Sequence, residues 1–250
     1  LRRRGLRCRI FDLRGYGKSD KPPYGEPNGM AERARDLSVV YQALVEQYQT
    51  RRVVVAGLSS GCNTIAEFLE QTPTRPQALI FIAPCYLLNP AMMNCLRRAR
   101  FIRFLLTLAG RPRSVYATMS RALLASRLYK GEEHLIDKDS FEQFVNLAIE
   151  LTTPGGTRLR APVLTYPETR FGDKPWDPLF NAKVVDSPLL ILRGERDEFS
   201  CARSAETLAS SVSTGEVQIE TFPERKHDMH LYKVHQDYFE AVRAFACSQS

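Results

Sequence analysis

With 250 residues, 44% of them hydrophobic, the chain has the length and apolar content of one large domain, or of one domain carrying an insertion. No stretch approaches the roughly 20 apolar residues of a spanning helix. The formal charge of +7 is diffuse, gathered at Arg2–Arg4 and at Arg97, Arg98, Arg100, Arg103, Arg111 and Arg113, with no nucleic-acid-binding module beside it, so a nucleic-acid partner is not expected.

The first predicted strand is 7–12, Arg7-Cys8-Arg9-Ile10-Phe11-Asp12, and a helix over 29–49 follows it. The β-branched run beginning at Val53 predicts a buried strand over 53–57, and a helix over 62–71 comes next. A strand at 78–83 completes the first set. From Tyr86 to about Asp186 the alternation stops: 90–109, 113–130 and 138–151 read as helices, and a loop rich in Pro and Gly runs on through Pro178. Phe101–Ala109 is the most apolar piece of this region, read either as a helix packed over the core or as a lid over an apolar acyl pocket, with arginines able to touch a lipid surface. Trp176 fits a pocket wall, the core or a hinge. The alternation then resumes with strands at 188–193 and 216–222 and helices at 201–211 and 231–247. The fold class is therefore α/β, a mostly parallel sheet with helices on both faces. Six cysteines lack C-x-x-C spacing, with Cys8 and Cys62 in or beside predicted core elements. They read as reduced thiols in a reducing, cytoplasmic setting, not as a disulfide framework or a metal site.

The chemistry centres on Gly57-Leu58-Ser59-Ser60-Gly61, a Gly-x-Ser-x-Gly pentapeptide between a predicted strand and a predicted helix. That context makes Ser59 a nucleophile on a sharp strand-to-helix turn, with Gly57 and Gly61 keeping the turn small and the Ser60 amide facing any developing negative charge. A serine hydroxyl needs a base, and the base needs an orienting group. The elbow architecture orders these as nucleophile, acid, base along the chain. His134 comes too early, before any good acid. His227 lies in the loop after the last strand, where an imidazole can reach across a site, while His230 and His235 fit a helix start or surface packing. Asp197 stands in the loop beyond the strand that Pro188 opens and Gly194 ends, with Glu195 and Glu198 as nearby competitors that read as solvated charge. All three positions fall on the carboxyl rim where open α/β sheets bind ligands.

Four segments together resemble the α/β-hydrolase superfamily, in the branch that carries a cap domain. Asp12-Leu13-Arg14-Gly15-Tyr16-Gly17-Lys18-Ser19 resembles its D-x-R-G-x-G-x-S loop, and the elbow is the second match. Gly194-Glu195-Arg196-Asp197 resembles its acid loop, and His227-Asp228-Met229-His230 its histidine loop. The resemblance covers the chain apart from roughly 87–180. It implies a core formed by 1–86 and 187–250, with 87–186 inserted as a helical cap or lid. Lys226 stands where the family usually has glycine, and Cys62 replaces a common second glycine after the elbow. Serine at the nucleophile position disfavours the aspartate-dependent epoxide hydrolases and haloalkane dehalogenases of the superfamily. Family members normally begin with three further strands, the third ending in a His-Gly loop that supplies a second oxyanion donor. Nothing of that kind precedes Leu1, so the chain reads as part of a longer protein, unless 7–12 pairs directly beside 53–56 and closes the gap.

The resulting expectation is a serine hydrolase that cleaves an ester or related acyl bond through Ser59, His227 and Asp197, with the Ser60 amide holding the oxyanion. Such a triad needs no metal and no organic cofactor. The expected partner is a small acyl substrate with an apolar acyl part, with peripheral membrane contact through the cap. A carbon–carbon bond hydrolase or peptidase would use the same triad, and a non-catalytic binding protein of the same fold is the reading from another class.

Overall fold

Four apolar segments pair in register as one parallel sheet in the computed structural model of the chain, which describes residues 6–13, 19, 30–50, 52–94, 97, 116–119, 134–152, 159–162, 178–233 and 236–249. These strands are β1 (Val54–Leu58), β2 (Ala78–Ile82), β5 (Leu189–Gly194) and β6 (Val217–Phe222), in the spatial order β1-β2-β5-β6. The helices are α1 (Met30–Tyr48), α2 (Ser60–Gln71), α3 (Lys138–Thr152), α4 (Ala202–Ser211) and α5 (Gln236–Ser248). A separate antiparallel pair joins β3 (Tyr116–Met119) to β4 (Leu159–Pro162).

The sheet is covered on both faces, and the alternation of side chains shows it. Leu79, Phe81, Leu189 and Ile191 join one apolar cluster with Ala34, Leu37 and Tyr41 of α1, Phe68 of α2 and Leu208 of α4. Ala78, Ile80, Leu190 and Leu192 join a second cluster with Tyr238 and Phe245 of α5. Every residue of β5 is buried, as the continuous apolar run of a central parallel strand requires. Each fully buried leucine or isoleucine there stabilises the fold by roughly 1.5–3 kcal/mol through removal from water. The architecture is α/β, a parallel sheet packed with helices on both faces.

Four expectations need correction. Residues 6–13 form no strand, and among the described residues β1 pairs only with β2. Ile10 is 95% exposed, and Arg7 and Arg9 instead lie over the ring of Tyr48 at the end of α1, where Arg9 also donates to the Tyr48 hydroxyl. A segment that alternates arginine with apolar residues cannot be buried on both faces of a parallel sheet. Cys8 is accordingly exposed, whereas Cys62 is buried. Among the described residues the strand ending at Phe222 is an edge, with only Phe222 buried. Within the predicted helix 113–130, residues 116–119 form a strand, as the β preference of Tyr116 and Thr118 favours. The final helix begins at Gln236, because Met229–Leu231 form a separate 3-10 turn whose Met229 and Leu231 are buried. Helix 138–151 is present as α3, and 90–94 is helical behind Asn89. Phe101–Ala109, Trp176 and His235 lie outside the described residues. Among those described, no helix is long and apolar enough to cross a membrane.

The passage from β1 into α2 is tight at one glycine and open at the other. A Cβ on Gly57 would lie 2.7 Å from the Gly61 carbonyl carbon and 2.8 Å from Ile65 Cδ1, whereas a Cβ on Gly61 would meet nothing within 4 Å. The space constraint thus belongs to Gly57 alone. Gly57→Ala is expected to lose about 1–3 kcal/mol through overpacking. Gly61→Ala, inside the first turn of α2, is expected to be neutral or to gain up to about 1 kcal/mol. Urea unfolding of both variants checks this; equal losses would contradict the assignment.

Candidate active site

Ser59 sits between β1 and α2 with φ 53° and ψ −117°, a left-handed backbone that non-glycine residues rarely adopt. The strain is held from several sides. The Ser59 amide donates to Ile82 O at 2.8 Å, and its carbonyl accepts from the Cys62 amide at 3.0 Å. Beneath the turn the buried Cys62 thiol donates to Gly57 O at 3.1 Å, which gives a role to the residue that departs from the usual glycine. Ser60 opens α2, where an amide has no preceding helical carbonyl to bond.

Beside β1, strand β2 ends in another left-handed residue, Ala83 at φ 47°. Its amide donates to Leu192 O at 2.7 Å, and the chain then delivers Cys85 to the turn at Ser59. Cys85 Sγ lies 3.7 Å from Ser59 Oγ. Sequence reasoning did not find this neighbour, since a lone buried cysteine carries no pattern. Burial pushes the thiol up to about 12; the contact with Ser59 works in the lowering direction, and the Asp197 charge raises it further. Cys85 is therefore a neutral thiol and no proton acceptor at ordinary pH.

The loop after β5 brings Asp197 to His227. His227 Nδ1 and Asp197 Oδ2 are 2.8 Å apart, and the aspartate side chain is fully buried. The other carboxylate oxygen accepts the amides of Phe199 at 2.9 Å and Ser200 at 3.0 Å. This is how a buried carboxylate is satisfied. Phe199 meets the imidazole edge-on, 5.5 Å between centroids. Burial alone would lower the His227 pKa, but the Asp197 hydrogen bond and charge, with the Asp228 charge, outweigh it and the net direction is upward. Asp197 and His227 are thus brought together. The structure forms no hydrogen bond between Ser59 and His227; the polar neighbour of the serine hydroxyl is Cys85.

Two buried side chains that the sequence did not announce hold the acid loop. Arg193 donates to Ser200 O, Glu195 O and Thr221 Oγ1 at 3.0, 3.1 and 3.2 Å, so it grips the loop on both sides of Asp197. Asn89 donates to Glu198 O and Phe199 O at 2.8 and 3.0 Å, while its own oxygen caps the helical turn at Met92 N. The loop carrying His227 is pressed onto the loop carrying Asp197 at Gly194, where a Cβ would stand 2.2 Å from Arg225 O and 2.5 Å from Lys226 O. Arg225 itself is anchored to both carboxylate oxygens of Asp237 at 2.9 and 2.7 Å.

The remaining candidates lie elsewhere. His134 is exposed. His230 packs edge-on against Phe144 of α3, 6.2 Å between centroids. Glu195 is exposed and accepts the Glu224 amide, and Glu198 contributes its carbonyl to Asn89 while its side chain faces solvent. Among the described residues no cluster of His, Cys, Asp and Glu fits a metal ion.

Residues 1–144 match the family model described as serine aminopeptidase, S33. The chain belongs to this hydrolase family. No curated protein sequence matches this S33 hydrolase. Its fold is similar to that of solved structures at low identity. A soluble variant of monoglyceride lipase from Saccharomyces cerevisiae, in complex with a substrate analog, gives a TM-score of 0.64 at 15% identity, covering 96% of this chain and 76% of the other. The Paleococcus ferrophilus monoacylglycerol lipase gives 0.59 at 16%, covering 96% and 82%. An esterase from Exiguobacterium antarcticum gives 0.60 at 18%, covering 94% and 79%.

The raised His227 pKa makes the pair a pH-dependent contribution to stability of the S33 hydrolase. A group whose pKa rises on folding stabilises fully below its unfolded value, about 6.5 for histidine, and loses that contribution as pH climbs through the folded value. Urea unfolding across that window is expected to show falling stability, and His227→Gln to flatten the slope. An unchanged slope would remove His227 as its source.

Proposed function

We propose that this S33 hydrolase cleaves an ester or related acyl bond through Ser59, His227 and Asp197. Ser59 Oγ attacks the acyl carbonyl while His227 Nε2 takes its proton. Asp197 fixes the tautomer through Nδ1 and stabilises the imidazolium. The Ser60 amide donates to the oxyanion, helped by the positive end of α2. His227 returns the proton to the leaving group, then activates the water that releases the acyl group.

The observation that carries this reading is the buried Asp197–His227 pair, at 2.8 Å, on the same carboxyl rim as a serine in a left-handed turn. Cys85 links the two halves, since it touches Ser59 and feels the Asp197 charge. A neutral thiol leaves His227 as the base available to the serine. Catalysis then requires Ser59 Oγ to exchange Cys85 for His227, a contact of the kind that tightens only once substrate is bound. The lipase and esterase folds to which the chain is similar favour a carboxylic ester of modest size with an apolar acyl part. The family description favours a second reading, an aminopeptidase acting on an amide with the same three residues.

A fluorophosphonate probe is expected to label the protein, and Ser59→Ala to abolish labelling. Asp197→Asn is expected to cost on the order of 10³–10⁴ in kcat on p-nitrophenyl esters. Faster turnover of aminoacyl p-nitroanilides than of esters would move the assignment to the aminopeptidase. Labelling that persists in Ser59→Ala would refute Ser59 as nucleophile, and a wild-type protein that takes no label would fit a binding protein on this fold.

A further inference from the structure

The backbone that carries His227 is wedged between two elements. On one side is Gly194, against which the carbonyls of Arg225 and Lys226 are pressed. On the other is Tyr232, whose hydroxyl accepts the Lys226 amide at 2.9 Å, one residue before His227. Tyr232 is buried, and with Leu231 it belongs to an apolar cluster made otherwise of Ile136, Phe141, Val145 and Ile149, the last three from α3. The two segments are also joined through their backbones. Tyr232 and Ile136 form an antiparallel bridge, the Asp137 amide donates to Leu231 O at 3.0 Å, and the Lys233 amide donates to Leu135 O at 3.0 Å.

We propose that Tyr232 is a positioning residue for the base, one that passes the packing of α3 to the peptide carrying His227. The inference rests on the reading of His227 as the base and names what sets its place. The ring belongs to the α3 cluster, and the hydroxyl belongs to the base loop. A displacement of α3 therefore moves an oxygen bonded to the residue next to the imidazole. α3 lies between β2 and β5 along the chain and reaches the His227 loop through this cluster and hydroxyl. The charges that act on the imidazole are Asp197 from the loop after β5 and Asp228 from its own loop, and Phe199 covers one edge. Loosening the loop weakens the Asp197 bond first, because that bond depends on registry between two loops.

Tyr232→Phe keeps the ring and removes the acceptor. The test is an NMR titration of the His227 imidazole in the whole chain, assigned with His227→Gln, alongside the rate of fluorophosphonate labelling. In Tyr232→Phe the melting temperature is expected to stay within about 4 °C of wild type. The His227 titration is expected to move down toward the ordinary histidine value, and labelling to slow about tenfold, or roughly one factor-of-ten step in transition-state stabilisation. Val145→Ala, which loosens α3 without touching the loop, is expected to move the titration in the same direction in wild type and not in the Tyr232→Phe background. A His227 titration identical in wild type and Tyr232→Phe would overturn the proposal, as would a Val145→Ala shift that persists without the hydroxyl. Labelling with an unmoved titration leaves the hydrolase reading standing and removes Tyr232. A moved titration in a protein that takes no label does the reverse.

Discussion

Two loops meet in this protein only because residue 194 has no side chain. The carbonyls of Arg225 and Lys226 occupy the space a Cβ would need. That close approach puts the Arg225 carbonyl on the Arg196 amide at 2.9 Å, while the Phe222 carbonyl accepts from Glu195 at the same distance. The loop after β5 and the loop after β6 thus share a ladder beyond the end of the sheet. The Asp197–His227 bond is the outermost rung of that arrangement. Asp197 and His227 depend for their meeting on packing that involves neither of them.

The electrostatics of the site follow from the same burial. A carboxylate taken out of water needs a partner for each oxygen, and Asp197 has two amides on one and an imidazole on the other. The arginine and asparagine that grip the flanking carbonyls leave the loop little freedom to turn away. Around the serine the same low-polarity surroundings keep Cys85 a thiol. The Ser59 hydroxyl and the Cys85 thiol therefore stand side by side, 3.7 Å apart, with the thiol held neutral.

What was legible in the sequence was whatever a short pattern encodes. The β-branched run before Ser59, the glycine–serine spacing and the apolar strand ending at Gly194 named the sheet and the turn. Loop position after a strand singled out Asp197 and His227, the two side chains that the structure pairs at 2.8 Å. The residues that were not legible act through tertiary contacts with no local signature. Arg193 reads as a charge at a strand end, Asn89 as a turn residue and Cys85 as a core thiol. Strand 7–12 failed because period-two alternation of arginine with apolar residues satisfies a local rule and violates the two-sided burial a central parallel strand demands. Gly61 was credited with a tightness that belongs to Gly57. Spacing shows that a turn is small, and coordinates are needed to show which Cα is crowded.

The left-handed backbone at Ser59 has a consequence for how such a chain can drift. A glycine would take the same turn without steric penalty, whereas a serine there sacrifices of order 1–3 kcal/mol of local stability. Exchanging Ser59 for glycine would therefore relieve the turn and leave a sturdier protein, so the backbone at this one residue trades stability for a side chain.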